Sequence, residues 1–173
     1  VKLHKADRTI TEREVALFEN DLGTRLPPEY RSFLLEHNGG EVVRNDRNVV
    51  NVPGFHGPVT IQCFYELRAV SKGCRLEWFH TTNQELAFVP RDVLAIASTI
   101  GGDNVCIGLS QSIYGVVYLV DHDDYSYTSA QGVTTITDSV RLPDGVYTVA
   151  RSFNAFLAQM EGAGPGLELR MRG

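Results

Sequence analysis

Two short apolar runs, Val93-Leu94-Ala95-Ile96-Ala97 and Val105-Cys106-Ile107-Gly108-Leu109, stand either side of Thr99-Ile100-Gly101-Gly102-Asp103-Asn104, and a third run, Gly115 to Val120, follows closely. The intervening residues are types that tolerate the left-handed backbone region of tight turns. Connections this short join antiparallel neighbours, because a parallel pair needs a crossover of about a dozen residues or more. A meander is therefore expected and a doubly wound parallel sheet is disfavoured. At 173 residues and 43% hydrophobic, the chain can bury one good core and is too short for two ordinary domains.

Helical punctuation precedes the meander. Thr11-Glu12-Arg13-Glu14 has the form of a capping box, in which the hydroxyl and the carboxylate satisfy the first free amides of a helix. Val15, Phe18 and Leu22 then fall on one face, and Gly23 stops the run. Leu26-Pro27 marks a turn, and Pro28 suits the first position of a second helix, where a missing amide costs nothing. Tyr30, Phe33, Leu34 and His37 share its apolar face, and Asn38-Gly39-Gly40 accepts positive φ at its exit.

From Glu41 the period shifts toward two. Val49 to Val52 and Val59 to Phe64 read as strands between Pro53-Gly54 and Gly57-Pro58 turns. Leu67, Val70 and Cys74 keep helical spacing, so a short helix is expected within Glu66 to His80. The section from Asp123 to Thr148 holds Tyr125 to Tyr127, Val133 to Ile136 and a Pro143-Asp144-Gly145 turn, and is expected to carry further strands. Phe153, Phe156, Leu157 and Met160 form a closing amphipathic helix. The expected organisation is a single domain over residues 1–161, with a flexible tail from Gly162 to Gly173 that begins in a glycine-rich stretch.

Asp and Glu outnumber Lys and Arg 21 to 16, for a net charge of −5. A protein that tracks phosphates needs a basic face, so direct nucleic-acid binding is disfavoured and a basic partner favoured. Cys63, Cys74 and Cys106 are odd in number and form no CxxC pair, which argues for reduced thiols in the core over a disulfide framework or a zinc site. No apolar run reaches the ~20 residues of a membrane helix, and Val1 to Ile10 lack an apolar signal region. A cytoplasmic setting is the expectation.

The densest polar cluster is Asp121-His122-Asp123-Asp124, directly after an apolar run. It reads first as a solvated acidic turn capping a strand. It also suits an acidic patch that steers a basic protein partner. A Ca²⁺ or Mg²⁺ site is the weakest of the three readings, since the glycine and distal Glu of an EF-hand are missing. Asp103, between Gly102 and Asn104, fits a turn-forming carboxylate better than a catalytic one. The five histidines show no HExxH spacing, and no GxSxG elbow or phosphate-binding glycine loop is present. No catalytic residue, metal ligand or cofactor site is expected. Among aromatics, Phe18, Tyr30, Phe33, Phe153 and Phe156 belong to apolar helical faces, whereas Trp78 and Phe79 stand in polar or irregular surroundings; for Trp78 core burial is favoured over a role as an interface anchor. Tyr125 and Tyr127 fit core or interface equally, since interfaces favour Tyr as an anchor.

Taken in order, four stretches resemble the SUKH superfamily, which takes in the fungal Smi and Knr cell-wall regulators and many bacterial immunity proteins. They are Leu26-Pro27 leading through Tyr30, Phe33 and Leu34 to Asn38-Gly39-Gly40; Ile96-Ala97 with Gly101-Gly102-Asp103 and Val105-Cys106-Ile107; Gly115-Val116-Val117-Tyr118 with Asp121-His122; and Phe153-Asn154-Ala155-Phe156-Leu157. The resemblance runs from about Thr11 to Met160. It implies an α+β fold, with two N-terminal helices and a C-terminal helix packed on a central, mainly antiparallel sheet, and no enzymatic activity. Bacterial members are antidotes that bind a cognate toxin domain, often a nuclease, and block it; the alternative is a non-catalytic regulatory interaction module of the Smi and Knr type. On this resemblance Leu26, Pro27, Gly39, Gly40, Gly101, Gly102 and Asp103 are fold determinants. Recognition is then expected outside them, at Asp121, Asp123, Asp124, Tyr125 and Tyr127. The Asp123 to Thr148 section is longer than a minimal member requires, and the tail has no counterpart in the pattern.

Overall fold

The computed structural model of the chain describes residues 2–4, 6, 8–43, 48–70, 74–129, 134–137 and 141–162, with backbone alone at 126–129 and 161–162. Within these lie five helices, α1 (Glu12–Leu22), α2 (Pro28–His37), α3 (Leu76–Glu85), α4 (His122–Ser129) and α5 (Phe153–Gly162). The strands are β1 (Gly40–Glu41), β2 (Val49–Val50), β3 (Val59–Phe64), β4 (Val93–Thr99), β5 (Asn104–Gly108), β6 (Val117–Val120) and β7 (Val146–Ala150). They form a sheet of order β1-β3-β4-β5-β6-β7, with β2 attached beside β3 and every pairing antiparallel. The fold is α+β, with helices on a central antiparallel sheet. No described helix is long and apolar enough to cross a membrane.

The first two helices begin and end where the residues dictate. Thr11 and Glu14 close the capping box in both directions, at 3.3 and 2.9 Å. Gly23 takes φ 70 and its amide returns to Asn20 and Glu19, and Pro28 opens α2. Helices α2 and α5 meet over an aromatic cluster. Phe33 lies 4.9 Å from Phe64 of β3 and 5.1 Å from Phe153 of α5, ring to ring, and Tyr30 lies 5.2 Å from Phe153. On the next residue of the chain, Tyr65, the ring stacks at 3.9 Å on Phe79 of α3. Val93 to Ala97 and Val117 to Val120 are buried without a break, so the central strands are covered on both faces.

Four expectations need correction. The helix placed within 66–80 forms instead over Leu76–Glu85. Tertiary bonds claim the earlier backbone: the Leu67 amide goes to the Asn38 side chain, and Glu66 pairs with Cys74 and Leu76 through its amide and carbonyl. Val70, expected on the apolar face, is 78% exposed. The acidic run 121–124 opens helix α4 where a strand-capping turn was expected, and Tyr125 and Tyr127 fall on that helix. Thr134 to Thr137 form no strand; Val133, with 130–132 and 138–140, lies outside the described residues. Trp78, expected in the core, is 43% exposed. The proposed tail lies outside the described residues beyond Gly162.

Candidate functional site

The tip of the β4–β5 hairpin and the start of α4 come together beyond the end of β6. Thr99 and Asp103 staple the hairpin turn: the Thr99 amide donates to the Asp103 carbonyl at 3.0 Å, the Thr99 hydroxyl to Asp103 Oδ2 at 3.1 Å, and the Asp103 amide to Thr99 Oγ1 at 3.1 Å. Gly102 supplies the positive φ (+98) that this reversal needs. Asp103 is thereby buried with one carboxylate oxygen aimed across at α4. That oxygen lies 2.9 Å from His122 Nδ1 and accepts the His122 amide at 3.4 Å.

Asp121 sits at the other side of the junction and starts the helix. Its Oδ1 accepts the amides of Asp123 (2.9 Å) and Asp124 (3.4 Å), and its carbonyl accepts the Tyr125 amide. This is an N-cap by side chain, with two further carboxylates in the first turn where the helix dipole favours negative charge. The Asp121 amide donates to the Gly145 carbonyl, tying the junction to the turn before β7.

The sequence-derived residues thus divide. Asp123 and Asp124 are exposed, Asp123 to 82% of its side chain. Asp121 is buried and spent on the helix start. Tyr125 is 1% exposed, with its hydroxyl bonded to Thr134, so of its two open readings the core one holds; as placed, neither Tyr125 nor Asp121 offers a partner a surface. The Tyr127 side chain lies outside the described residues. Leu26 is buried in the core, and Pro27 caps α2. Gly39 and Gly40 take positive φ against neighbouring backbone, whereas Gly101 does not.

Asp103, Asp121 and His122 offer ligand atoms within 4.8 Å of one another, a spacing that suits a metal ion. Their bonds argue for a structural use: Asp103 serves Thr99 and His122, and Asp121 serves two helix amides. The same cluster lacks the order of a catalytic triad. The hydroxyl of Thr99 is on the carboxylate, not on the imidazole, and His122 Nε2 faces Asp123 Oδ1 at 3.3 Å.

Sequence reasoning missed the Asp103–His122 pair, which only the fold brings together across 19 residues. It also missed the solvent-facing apolar side chains of Leu86 and Phe88 just after α3, and favoured the core for Trp78, which is exposed on that helix. Acidic residues directly after an apolar strand did carry a signal for α4, since Asp at the cap and in the first turn marks a helix start.

Residues 9–159 match the SMI1 / KNR4 family (SUKH-1). No curated protein matches the chain.

Proposed function

The chain belongs to the SMI1 / KNR4 family (SUKH-1), by its match over residues 9–159, and from that premise we propose that it is an immunity protein. It binds a cognate toxin domain stoichiometrically in the cytoplasm and blocks that domain without turning it over. Proteins of this family are in general non-catalytic immunity or regulatory modules. The observation that supports the docking side is the first turn of α4, where Asp123 and Asp124 stand exposed on a helix start whose position is set by Asp121 and by the Asp103–His122 contact. A fixed acidic ridge on a chain of net charge −5 favours a basic partner and speeds its arrival, and prior ordering lowers the cost of binding. The free state of Cys63, Cys74 and Cys106 supports a reducing compartment.

Co-expression with any toxin-like domain found encoded beside this gene tests the reading. Host survival together with co-purification of an equimolar complex is the expected result. Host death in the presence of well-folded protein sinks the immunity reading and leaves the regulatory interaction module.

A further inference from the structure

His122 is the first residue of α4, and it reaches two carboxylates at once. Nδ1 lies 2.9 Å from Asp103 Oδ1 in the β4–β5 turn, and Nε2 lies 3.3 Å from Asp123 Oδ1 on its own helix. The ring lies over Gly102, where an added Cβ would stand 3.6 Å from Cε1. Asp103 is buried and held by the Thr99 hydroxyl, whereas the imidazole is 49% exposed and open to proton exchange with solvent.

A neutral imidazole has a single N–H, and the fixed Asp103 carboxylate claims it at Nδ1. Nε2 then turns a lone pair toward the Asp123 carboxylate, an approach of two acceptors. The imidazolium carries a proton on each nitrogen and satisfies both oxygens. The charged groups acting on the ring are Asp103 from the turn, Asp123 from α4 and Asp121 from the end of β6. The hydrogen bond to Asp103 leads, the three carboxylates add to it, and together they outweigh burial, so the native imidazole titrates above its ordinary value.

We infer that His122 is a proton-operated clasp: protonated, it ties Asp103 to Asp123 and adds a positive charge to the acidic face of α4; deprotonated, it keeps Asp103 alone, and the loss of that charge favours a basic partner. The clasp itself stands on the geometry, and only its last clause rests on the docking reading above. Two pH dependences of opposite sign follow. A raised native pKa contributes stability that is fully present below the unfolded value of about 6.5 and is lost as pH climbs through the native value. Affinity for a cationic partner rises over the same interval, because the imidazolium charge leaves the face.

The test uses the full chain, with His122 followed by NMR titration in the wild type and in Asp103→Asn, and with thermal unfolding at about pH 6 and about pH 8 compared between the wild type and His122→Ala. A short oligo-arginine peptide serves as the basic probe, titrated calorimetrically at both pH values and constant ionic strength. Expected are a wild-type His122 pKa above the ordinary value that falls toward it in Asp103→Asn, a wild-type advantage in Tm over His122→Ala that shrinks at the higher pH, and peptide binding several-fold tighter at the higher pH in the wild type alone. An ordinary pKa that ignores the Asp103 substitution overturns the clasp. A raised, Asp103-dependent pKa with no peptide binding at either pH upholds the tie between turn and helix and overturns the docking reading.

Discussion

The side chain of Asn38 grips the backbone of Leu67 from both sides: Oδ1 accepts the Leu67 amide and Nδ2 donates to the Leu67 carbonyl, each at 3.0 Å. Nδ2 also donates to the Arg8 carbonyl at 3.0 Å. The residue is buried and itself sits at φ 55, as the C-cap of α2. One amide therefore ends a helix, holds the N-terminal segment and fixes the chain beyond β3 in place of a strand partner.

Asn38→Ala should accordingly cost about 3 kcal/mol or more, since it strands a buried N–H and a buried C=O, each worth roughly 1–3 kcal/mol when unpaired, and adds αL strain of about 1–2 kcal/mol. Asn38→Gly removes the strain and keeps the stranded groups, so it should recover only the smaller part. Equilibrium denaturation in urea measures both. Equal stability of Asn38→Gly and the wild type would reduce Asn38 to a turn residue.

Gly39 and Gly101, the first members of the two glycine pairs, behave differently. A Cβ at Gly39 would meet the Tyr65 carbonyl oxygen at 2.5 Å and the Phe64 carbonyl oxygen at 2.8 Å, at φ +82. At Gly101 the nearest atoms are side-chain oxygens of Asp103 and Thr99, at 3.3 and 3.5 Å, with no positive φ. Gly39→Ala is expected to cost on the order of 3 kcal/mol, from left-handed strain and overpacking against backbone, and Gly101→Ala about 1 kcal/mol or less. Thermal unfolding of the two variants side by side gives the ranking, and a reversed order would contradict this placement of the β3 exit against the end of α2.

How far the residues alone disclose this fold depends on whether a segment's determinants are local. Helices α1 and α2 and the β4–β5 meander carry their caps, turns and periods within a few residues, and each appears where expected. The stretch 66–70 does not, because its backbone is satisfied by Asn38, 29 residues away, and the spacing of Leu67, Val70 and Cys74 is coincidental. HDDYSYTS is poor in helix formers, and what starts α4 is the Asp121 cap, a side chain that as readily closes a strand-capping turn. The candidate site was half legible: the exposed pair Asp123 and Asp124 shows in the sequence, while Tyr125 and Asp121 look alike in sequence and are buried by contacts with Thr134 and the helix amides.

The three thiols should differ in reactivity by burial and charge. Cys106 is wholly buried and Cys63 nearly so, and burial raises both. Cys74 is the most accessible, yet burial, with the neighbouring Cys63 and Glu66, pushes its thiol up to about 11. At pH 8 its thiolate fraction is then roughly one in a thousand, against about one in four for an ordinary thiol, and the thiolate is the reactive form. Native protein should therefore be alkylated by iodoacetamide slowly and first at Cys74, faster as pH rises, with Cys106 labelled only on unfolding. Mass mapping of the modified sites checks the order, and rapid native labelling of Cys106 would contradict its burial.

Charge at the start of α4 acts on folding and on association by different routes. Replacing Asp123 and Asp124 by Lys adds two positive charges each, taking the net charge from −5 to −1. It also places cations at the positive end of the helix dipole, at a cost of about 0.3–1 kcal/mol apiece. The double Asn variant removes the negative charge without adding a positive one, so the two variants together separate dipole from docking. If the ridge meets a basic toxin, both should slow association, the reversal by about tenfold or more at low salt, with dissociation changed less. The difference from wild type should narrow as added salt shortens the Debye length toward about 8 Å at physiological strength. Stopped-flow association across a salt series, with the toxin domain that co-expression identifies, measures this. Rates identical to wild type at every salt concentration would remove Asp123 and Asp124 from the interface and leave the exposed Trp78, Leu86 and Phe88 as the next surface to scan.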